Sequence, residues 1–213
     1  MITRQIGRAS RWLLLKIADA LAATGIHPNL LTLLGFVVNI WAAMLFAAAS
    51  ATDPAAQKRQ FLAAGIIIFF AGIFDFADGL VARRQGRVTP FGAFFDSIID
   101  RYSDLVLYMG LLVYYARGNR FFYVVLVAVA MAGSFMVSYA RARAESLIPE
   151  CRVGFMERPE RVVLLIIGSL FNRMAPVLWV IAVLTTLTVI HRIAHTWQQT
   201  RAGRVVSNPG PPP

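Results

Sequence analysis

Long apolar runs alternate with short polar or charged segments from residue 29 to residue 197. A helix needs about 20 apolar residues to cross a bilayer. Six runs can be separated, of which the fifth is short for a full crossing: 29–50, 61–84, 91–116, 121–144, 159–171 and 174–197 (spans 1 to 6). Helices satisfy their own backbone hydrogen bonds in lipid. The pattern therefore predicts an all-α polytopic membrane protein with six transmembrane helices.

A different pattern precedes span 1. Within residues 3–22, three arginines recur at helical spacing opposite apolar side chains: Arg4, Arg8 and Arg11. This arrangement is typical of an amphipathic helix that lies in the membrane interface. Pro28 ends it, and Asn29 can cap the start of span 1.

These elements indicate one membrane domain over residues 1–205. It would comprise the interfacial helix and break at 1–28 and the six spans at 29–197. The proline-rich residues 206–213 predict a disordered tail.

Composition supports this class. Hydrophobic residues make up 58% of the chain and charged residues 15%, with a net charge of +10. So little charge argues against a soluble nucleic-acid-binding protein. Most arginines fall on the side of the spans that carries both termini, and the positive-inside rule places that side in the cytoplasm.

Five of the seven aspartates lie between residues 75 and 104, within hydrophobic spans. A carboxylate at the centre of a membrane helix costs about 2.5–3.5 kcal/mol on insertion scales. Asp75 and Asp78 are three residues apart in span 2, whereas Asp96 and Asp100 are four apart in span 3, so each pair shares a helix face. A short loop makes the two spans antiparallel neighbours, and the pairs are expected to face each other.

Carboxylates that converge in this way suit a hard divalent ion such as Mg²⁺, Mn²⁺ or Ca²⁺. Two alternatives remain open on spacing alone. The acids can pair with nearby arginines as internal salt bridges, or form a proton or cation path in a transporter. Small residues beside the acids favour a diphosphate site, because Gly79, Ala82 and Gly92 permit close approach and Arg83 supplies a phosphate-binding fork.

The spacing of these residues resembles the signature of the CDP-alcohol phosphotransferase (CDP-alcohol phosphatidyltransferase) family. The matching pattern is Asp75-x2-Asp78-Gly79-x2-Ala82-Arg83-x8-Gly92-x3-Asp96-x3-Asp100. The resemblance implies a metal-dependent transferase of substituted phosphate groups in phospholipid biosynthesis. It further implies a multi-pass protein of the cytoplasmic membrane, with its active site facing the cytoplasm, and a homodimer.

By this resemblance, Asp75, Asp78, Asp96 and Asp100 hold Mg²⁺ or Mn²⁺, as two ions, and Asp100 is also the catalytic base. The same resemblance assigns a set of residues to binding the CDP-lipid: Asn29, Thr32, Asp78, Gly79, Ala82, Arg83 and Gly92.

The segments 138–145 and 154–161 resemble those of prokaryotic phosphatidylinositol phosphate synthases within that family. Arg141, Arg143 and Arg192 are therefore expected to bind a phosphate on the acceptor. The alternative is that they anchor helix ends at lipid headgroups. Where Arg141 stands, these synthases commonly have a lysine, a change that keeps the charge but alters its geometry.

The leading hypothesis is transfer of a phosphatidyl group from CDP-diacylglycerol to an inositol phosphate, which yields phosphatidylinositol phosphate and CMP. The partners would be these two substrates and the bilayer, without nucleic acid. A phosphatidylglycerophosphate synthase that uses glycerol 3-phosphate is the enzymatic alternative. A cation-coupled membrane transporter is the alternative from another class.

Overall fold

The computed structural model of the chain describes Lys16 and residues 25–203, and this part is built from helices and connections. The helices are α1 (Pro28–Ala48), α2 (Pro54–Arg84), α3 (Pro90–Arg117), α4 (Phe121–Glu145), α5 (Arg158–Leu170) and α6 (Met174–Arg201). They correspond in order to the six predicted spans. The interfacial helix predicted at 3–22, apart from Lys16, and the tail at 206–213 lie outside the described residues.

Proline marks the first turn of α1 and α2, where its missing N–H costs no helical hydrogen bond. The cap of α1 is His27, whose Nδ1 accepts from the N–H of Asn29 at 3.3 Å. The expectation that Asn29 caps this helix is thus wrong, and Asn29 lies within the first turn. In α2, Asp53 accepts from two backbone N–H groups, so the helix begins at Pro54, before the predicted residue 61.

Among the described residues, α1, α2, α4 and α6 are long and apolar enough to cross a membrane. Between residues 96 and 104, α3 carries four charged side chains, and α5 has only 13 residues. At 1.5 Å per residue, α5 is about 20 Å long, against about 30 Å for the hydrocarbon core. The all-helical class is confirmed, and the four long apolar helices fit a membrane protein, whereas the count of six spans stays a prediction.

The described chain forms two compact units that meet in sequence between Tyr114 and Tyr115. In the first unit, α1 packs along α2. Phe61 of α2 contacts Phe46 of α1 and Tyr114 of α3 edge-on, with ring centroids 5.1 and 5.0 Å apart. Aromatic pairs of this geometry add to the burial of apolar area, and they join the three helices that form the acidic site.

In the second unit, α6 packs against both α4 and α5. The connection between α4 and α5 is fixed to α6 by Thr188, whose Oγ1 accepts from the N–H groups of Phe155 and Met156 at 3.1 Å. A capping box then begins α5, in which the Glu160 side chain accepts from the N–H of Glu157. These bonds satisfy backbone donors that a helix start leaves open.

Helix α3 packs closely against the backbone of α1 at Gly110. A Cβ at this position would lie 2.3 Å from the carbonyl oxygen of Ala43, which is backbone and cannot rotate away. We expect Gly110→Ala to separate α1 from α3, with a cost of about 2 kcal/mol for overpacking. The melting temperature of the detergent-solubilised protein should fall by about 5 °C.

Gly72 provides the matched control, since it lies inside α2 and a Cβ added there would have no heavy atom within 4 Å. Gly72→Ala should leave the melting temperature unchanged or raise it slightly, because alanine favours helix. Equal melting temperatures for the two variants would contradict the close approach at Gly110.

Candidate active site

Three carboxylates converge between α2 and α3. Asp75, Asp96 and Asp100 each offer one oxygen, and these oxygens all lie within 4.8 Å of one another. Asp96 and Asp100 are one helical turn apart, and all three side chains are partly buried. The sequence predicted that four aspartates of these two helices face each other, and three of the four do so.

The donor set at this cluster suits a hard divalent cation. Mg²⁺ binds oxygen at about 2.0–2.1 Å, so that opposite ligands in its octahedral shell lie about 4 Å apart. The three oxygens are close to that spread, and the cluster contains neither His nor Cys, the donors that softer metals prefer. Asp75, Asp96 and Asp100 fit Mg²⁺ or Mn²⁺ on these grounds.

A cavity of about 320 Å³ lies beside the cluster and shares Asp96 with it. It is bounded by the first turns of α1, the last turns of α2 and the start of α3. The cavity is lined by Pro28, Asn29, Thr32, Asp78, Gly79, Ala82, Arg83, Arg87, Val88, Thr89, Gly92, Ala93 and Asp96. All seven residues expected to bind the CDP-lipid are among them.

Asp78 is held differently from the other three acids. Its Oδ2 accepts a hydrogen bond from the Thr32 hydroxyl at 2.6 Å, and both side chains are buried. Residues three apart on an α-helix are offset by about 60° around its axis. Asp78 therefore faces α1, whereas Asp75 joins the group formed with α3.

The N-terminus of α3 opens into the cavity. Thr89 precedes the helix, and its hydroxyl accepts from the N–H of Gly92 at 3.0 Å. A Cβ on Gly92 would lie 3.1 Å from Thr89 Oγ1 and 3.5 Å from Asn29 Oδ1, so the small residue permits this close packing. A helix N-terminus attracts anions through its partial positive charge.

Two arginines add formal positive charge to the same cavity. Arg83 donates from Nε to the Gly79 carbonyl at 3.0 Å, which fixes the direction of its guanidinium. Arg87, in the turn that follows α2, also lines the cavity. Sequence reasoning did not single out Arg87 or Thr89, although the short basic turn between two acidic helix faces was the signal that could have found them.

The arginines expected at the acceptor phosphate belong to the second unit. Arg141 donates to Glu145 at 3.0 Å and to Glu157 at 3.1 Å. Arg143 is exposed and bonds to the Ser146 hydroxyl at 3.2 Å.

Arg192 differs from these two because only 1% of its surface is exposed. Its three nitrogens donate to the carbonyls of Val137 and Val153 and to the Glu157 carboxylate. These bonds tie α4, the connection and α6 together, so the Arg192 guanidinium serves the packing of the unit.

A carboxylate cluster beside a cation-lined cavity, in a helical membrane protein, defines a site for an anionic substrate with a divalent ion. Residues 25–198 match the family described as CDP-alcohol phosphatidyltransferase. The chain belongs to this family, and the resemblance drawn from its signature is confirmed.

Several relatives have names that specify an activity. Archaetidylinositol phosphate synthase of Pyrococcus horikoshii is 34% identical over 88% of this chain and 93% of its own length. The archaetidylinositol phosphate synthase of Methanothermobacter thermautotrophicus is 37% identical over 87% of this chain and 89% of its own length.

A solved structure agrees with these relatives. Phosphatidylinositol phosphate synthase of Mycobacterium tuberculosis, with CDP-DAG bound, superimposes with a TM-score of 0.75 at 28% identity, covering 92% of this chain and 95% of that one. The same synthase has been solved with manganese and citrate. Family and neighbour together confirm that this chain is a metal-dependent transferase.

Replacing Asp96 tests the proposed metal site. Asp96→Asn removes the charge of one of three clustered carboxylates, so we expect Mn²⁺ to bind the substrate-free protein more than about 100-fold more weakly, since changes in outer-shell partners alone cost about 10–100-fold. Electron paramagnetic resonance of free Mn²⁺ during titration measures this affinity.

Asp53→Asn is the control, because Asp53 caps α2 in a polar connection and Asn also caps helices well. It should bind Mn²⁺ as the unaltered protein does. Unchanged affinity in Asp96→Asn would show that the cluster does not hold the ion.

Proposed function

We propose that this chain transfers a phosphatidyl group from CDP-diacylglycerol to a hydroxyl of inositol phosphate, with release of CMP. One observation carries the proposal: Asp96 belongs both to the carboxylate cluster and to the lining of the cavity. The same cavity is lined by the residues that the family resemblance assigns to the CDP-lipid. The names of the relatives support the choice of acceptor. Membership of a transferase family favours this reaction over cation transport.

The cavity provides complementary charge for the donor. A diphosphate placed there meets the Arg83 and Arg87 guanidiniums and the N-terminus of α3. Arginine binds phosphate oxygens with its planar fork, and helix N–H groups add further donors. Asn29 and the small residues Gly79, Ala82 and Gly92 leave room for the nucleotide.

The reaction forms one P–O bond and breaks another. An acceptor hydroxyl oxygen attacks the phosphorus that carries the diacylglycerol, its proton passes to the Asp100 carboxylate, and CMP departs with the electron pair of the broken bond. Asp75, Asp78, Asp96 and Asp100 would hold the divalent ions, which offset the diphosphate charge and stabilise the leaving group when bound. Asp100 thus acts as ligand and general base.

The acceptor phosphate is assigned to the second unit. Arg141 and Arg143 offer guanidiniums at the end of α4, where Arg141 is partly exposed and Arg143 is exposed. Arg192 is the third member of the proposed set and acts indirectly. It bonds to Glu157, which also contacts Arg141, and so helps to hold Arg141 in position. Of the three, Arg143 bonds to the neutral Ser146 hydroxyl, so its positive charge favours a phosphorylated polyol.

The proposal includes the setting of the enzyme. Most cations lie on the side of the spans that carries both termini, which supports a cytoplasmic position for that side and for the active site, in the cytoplasmic membrane. Resemblance to the family supports a homodimer and a single catalytic domain over residues 1–205.

A panel of acceptors tests the reaction. The purified chain, with Mg²⁺ or Mn²⁺ and labelled CDP-diacylglycerol, should release CMP with inositol phosphate and form labelled phosphatidylinositol phosphate. Glycerol 3-phosphate, myo-inositol and serine are the competing acceptors in the panel. Asp100→Asn is the negative control and should bind CDP-diacylglycerol yet release no CMP.

Two results would refute the proposal in different ways. A preference for glycerol 3-phosphate would make the chain a phosphatidylglycerophosphate synthase. Failure to release CMP with any acceptor would remove the assigned reaction altogether.

Arg143→Ala tests the acceptor assignment. Loss of one charge-assisted hydrogen bond costs about 1.5–3 kcal/mol, so the KM for inositol phosphate should rise at least about tenfold, while the KM for CDP-diacylglycerol changes little. Steady-state kinetics with each substrate varied in turn measure the two constants.

Arg152→Ala is the matched control, because Arg152 lies in the connection after α4, is exposed and pairs with Glu150. It should leave both constants unchanged. Equal increases in both KM values for Arg143→Ala would contradict a specific contact with the acceptor.

A further inference from the structure

A short hydrogen bond at the wall of the cavity joins α1 to α2. Thr32 Oγ1 lies 2.6 Å from Asp78 Oδ2 and 3.3 Å from the carbonyl oxygen of Pro28. A hydroxyl has a single proton, and a separation of about 2.5–2.7 Å is typical of an O–H bond to an ionised carboxylate. The proton is therefore donated to Asp78.

This bond fixes one half of the Asp78 carboxylate. Both side chains are buried, with 6% of each residue exposed, which limits the access of bulk water to the bond. Asp78 also lines the cavity together with Asp96, which belongs to the carboxylate cluster. The bond to α1 restrains the orientation of the carboxylate, and its other oxygen, Oδ1, is not bonded to Thr32.

We propose that Thr32 is a positioning residue, whose hydroxyl holds Asp78 Oδ2 so that Oδ1 is presented to a divalent ion beside the cluster. The inference rests on the metal requirement of the proposed function. Outer-shell hydrogen bonds orient metal ligands, and their loss commonly weakens metal binding about 10–100-fold. This proposal changes the role expected for Thr32, which would orient the Asp78 carboxylate. Because its proton is donated to Asp78, the Thr32 hydroxyl could contact a nucleotide only as a hydrogen-bond acceptor.

Thr32→Val removes the donor and keeps the shape of the side chain. We expect Mn²⁺ to bind the substrate-free, detergent-solubilised full chain about tenfold more weakly than it binds the unaltered protein. Thr32→Ser keeps a hydroxyl and should retain most of the affinity. Titration followed by electron paramagnetic resonance of free Mn²⁺ gives both values without catalysis.

Thr185→Val is the control for placing valine at a buried membrane threonine. The Thr185 hydroxyl donates to the carbonyl of Ile181 within α6, and the residue is fully buried. Its replacement should leave Mn²⁺ affinity unchanged. Should Thr32→Val fail to fold, Thr32→Ala removes the same hydroxyl without an added methyl group and carries the same expectation.

A double-mutant cycle separates positioning from packing. In the Asp78→Asn background, Thr32→Val should cause no further loss of Mn²⁺ affinity, because the carboxylate it would orient is gone. A full additional loss in that background would overturn the proposal. So would undiminished Mn²⁺ affinity in Thr32→Val, or failure of Thr32→Ser to restore it.

The outcomes remain distinct from those that test the reaction. If the unaltered chain binds Mn²⁺ but releases no CMP, the proposed function fails while the binding data still decide the role of Thr32. If the chain releases CMP and Thr32→Val raises only the KM for CDP-diacylglycerol, Thr32 contacts the nucleotide and does not position Asp78.

Discussion

Four carboxylates stand on helices whose other side chains are mostly apolar, and the first unit is organised around the compensation of that charge. Each acid costs a few kcal/mol in a hydrophobic setting. Asp78 receives the Thr32 hydroxyl, whereas Asp75, Asp96 and Asp100 converge on a point where a cation can lie. Like charges that converge repel each other unless a cation lies between them, so this arrangement favours the binding of a cation.

The cavity places opposite charges side by side for the same reason. Its acidic wall suits divalent ions, and its basic wall, from Arg83, Arg87 and the N-terminus of α3, suits phosphate oxygens. A metal-bound diphosphate matches both walls at once. Burial lowers the local dielectric constant, which strengthens each of these interactions relative to water. Close packing at Gly92 and Gly110 lets the helices approach near enough to bring the walls together.

In the second unit the buried charge is positive and is compensated by an acid. Glu157 Oε1 accepts from both Arg141 and Arg192 at 3.1 Å, so one acid links a partly exposed arginine to a fully buried one. Arg192 also satisfies two backbone carbonyls, which repays part of the cost of burying its charge. The connection between α4 and α5 is thereby held in a defined position, with its basic groups at the helix end.

The sequence could predict those features that depend on residues close together in the chain. The helical period alone put Asp96 and Asp100 on one face, Pro28 marked the break before α1, and the fixed spacing of the signature identified the family. The spacing of Asp75 and Asp78 predicted that both face span 3. An offset of about 60° also allows two acids to face different neighbours, and Asp78 bonds to Thr32 of α1.

Tertiary structure decided the rest. The rotation of α2 against α1 directs Asp78 to Thr32 and leaves Asp75 with the cluster. Packing of α4 and α6 buries Arg192, and the turn after α2 brings Arg87 to the cavity. The sequence by itself determined which residues share a helix face, because backbone geometry sets that period. Which faces meet depends on side chains distant in the chain, and only the packed helices specify it.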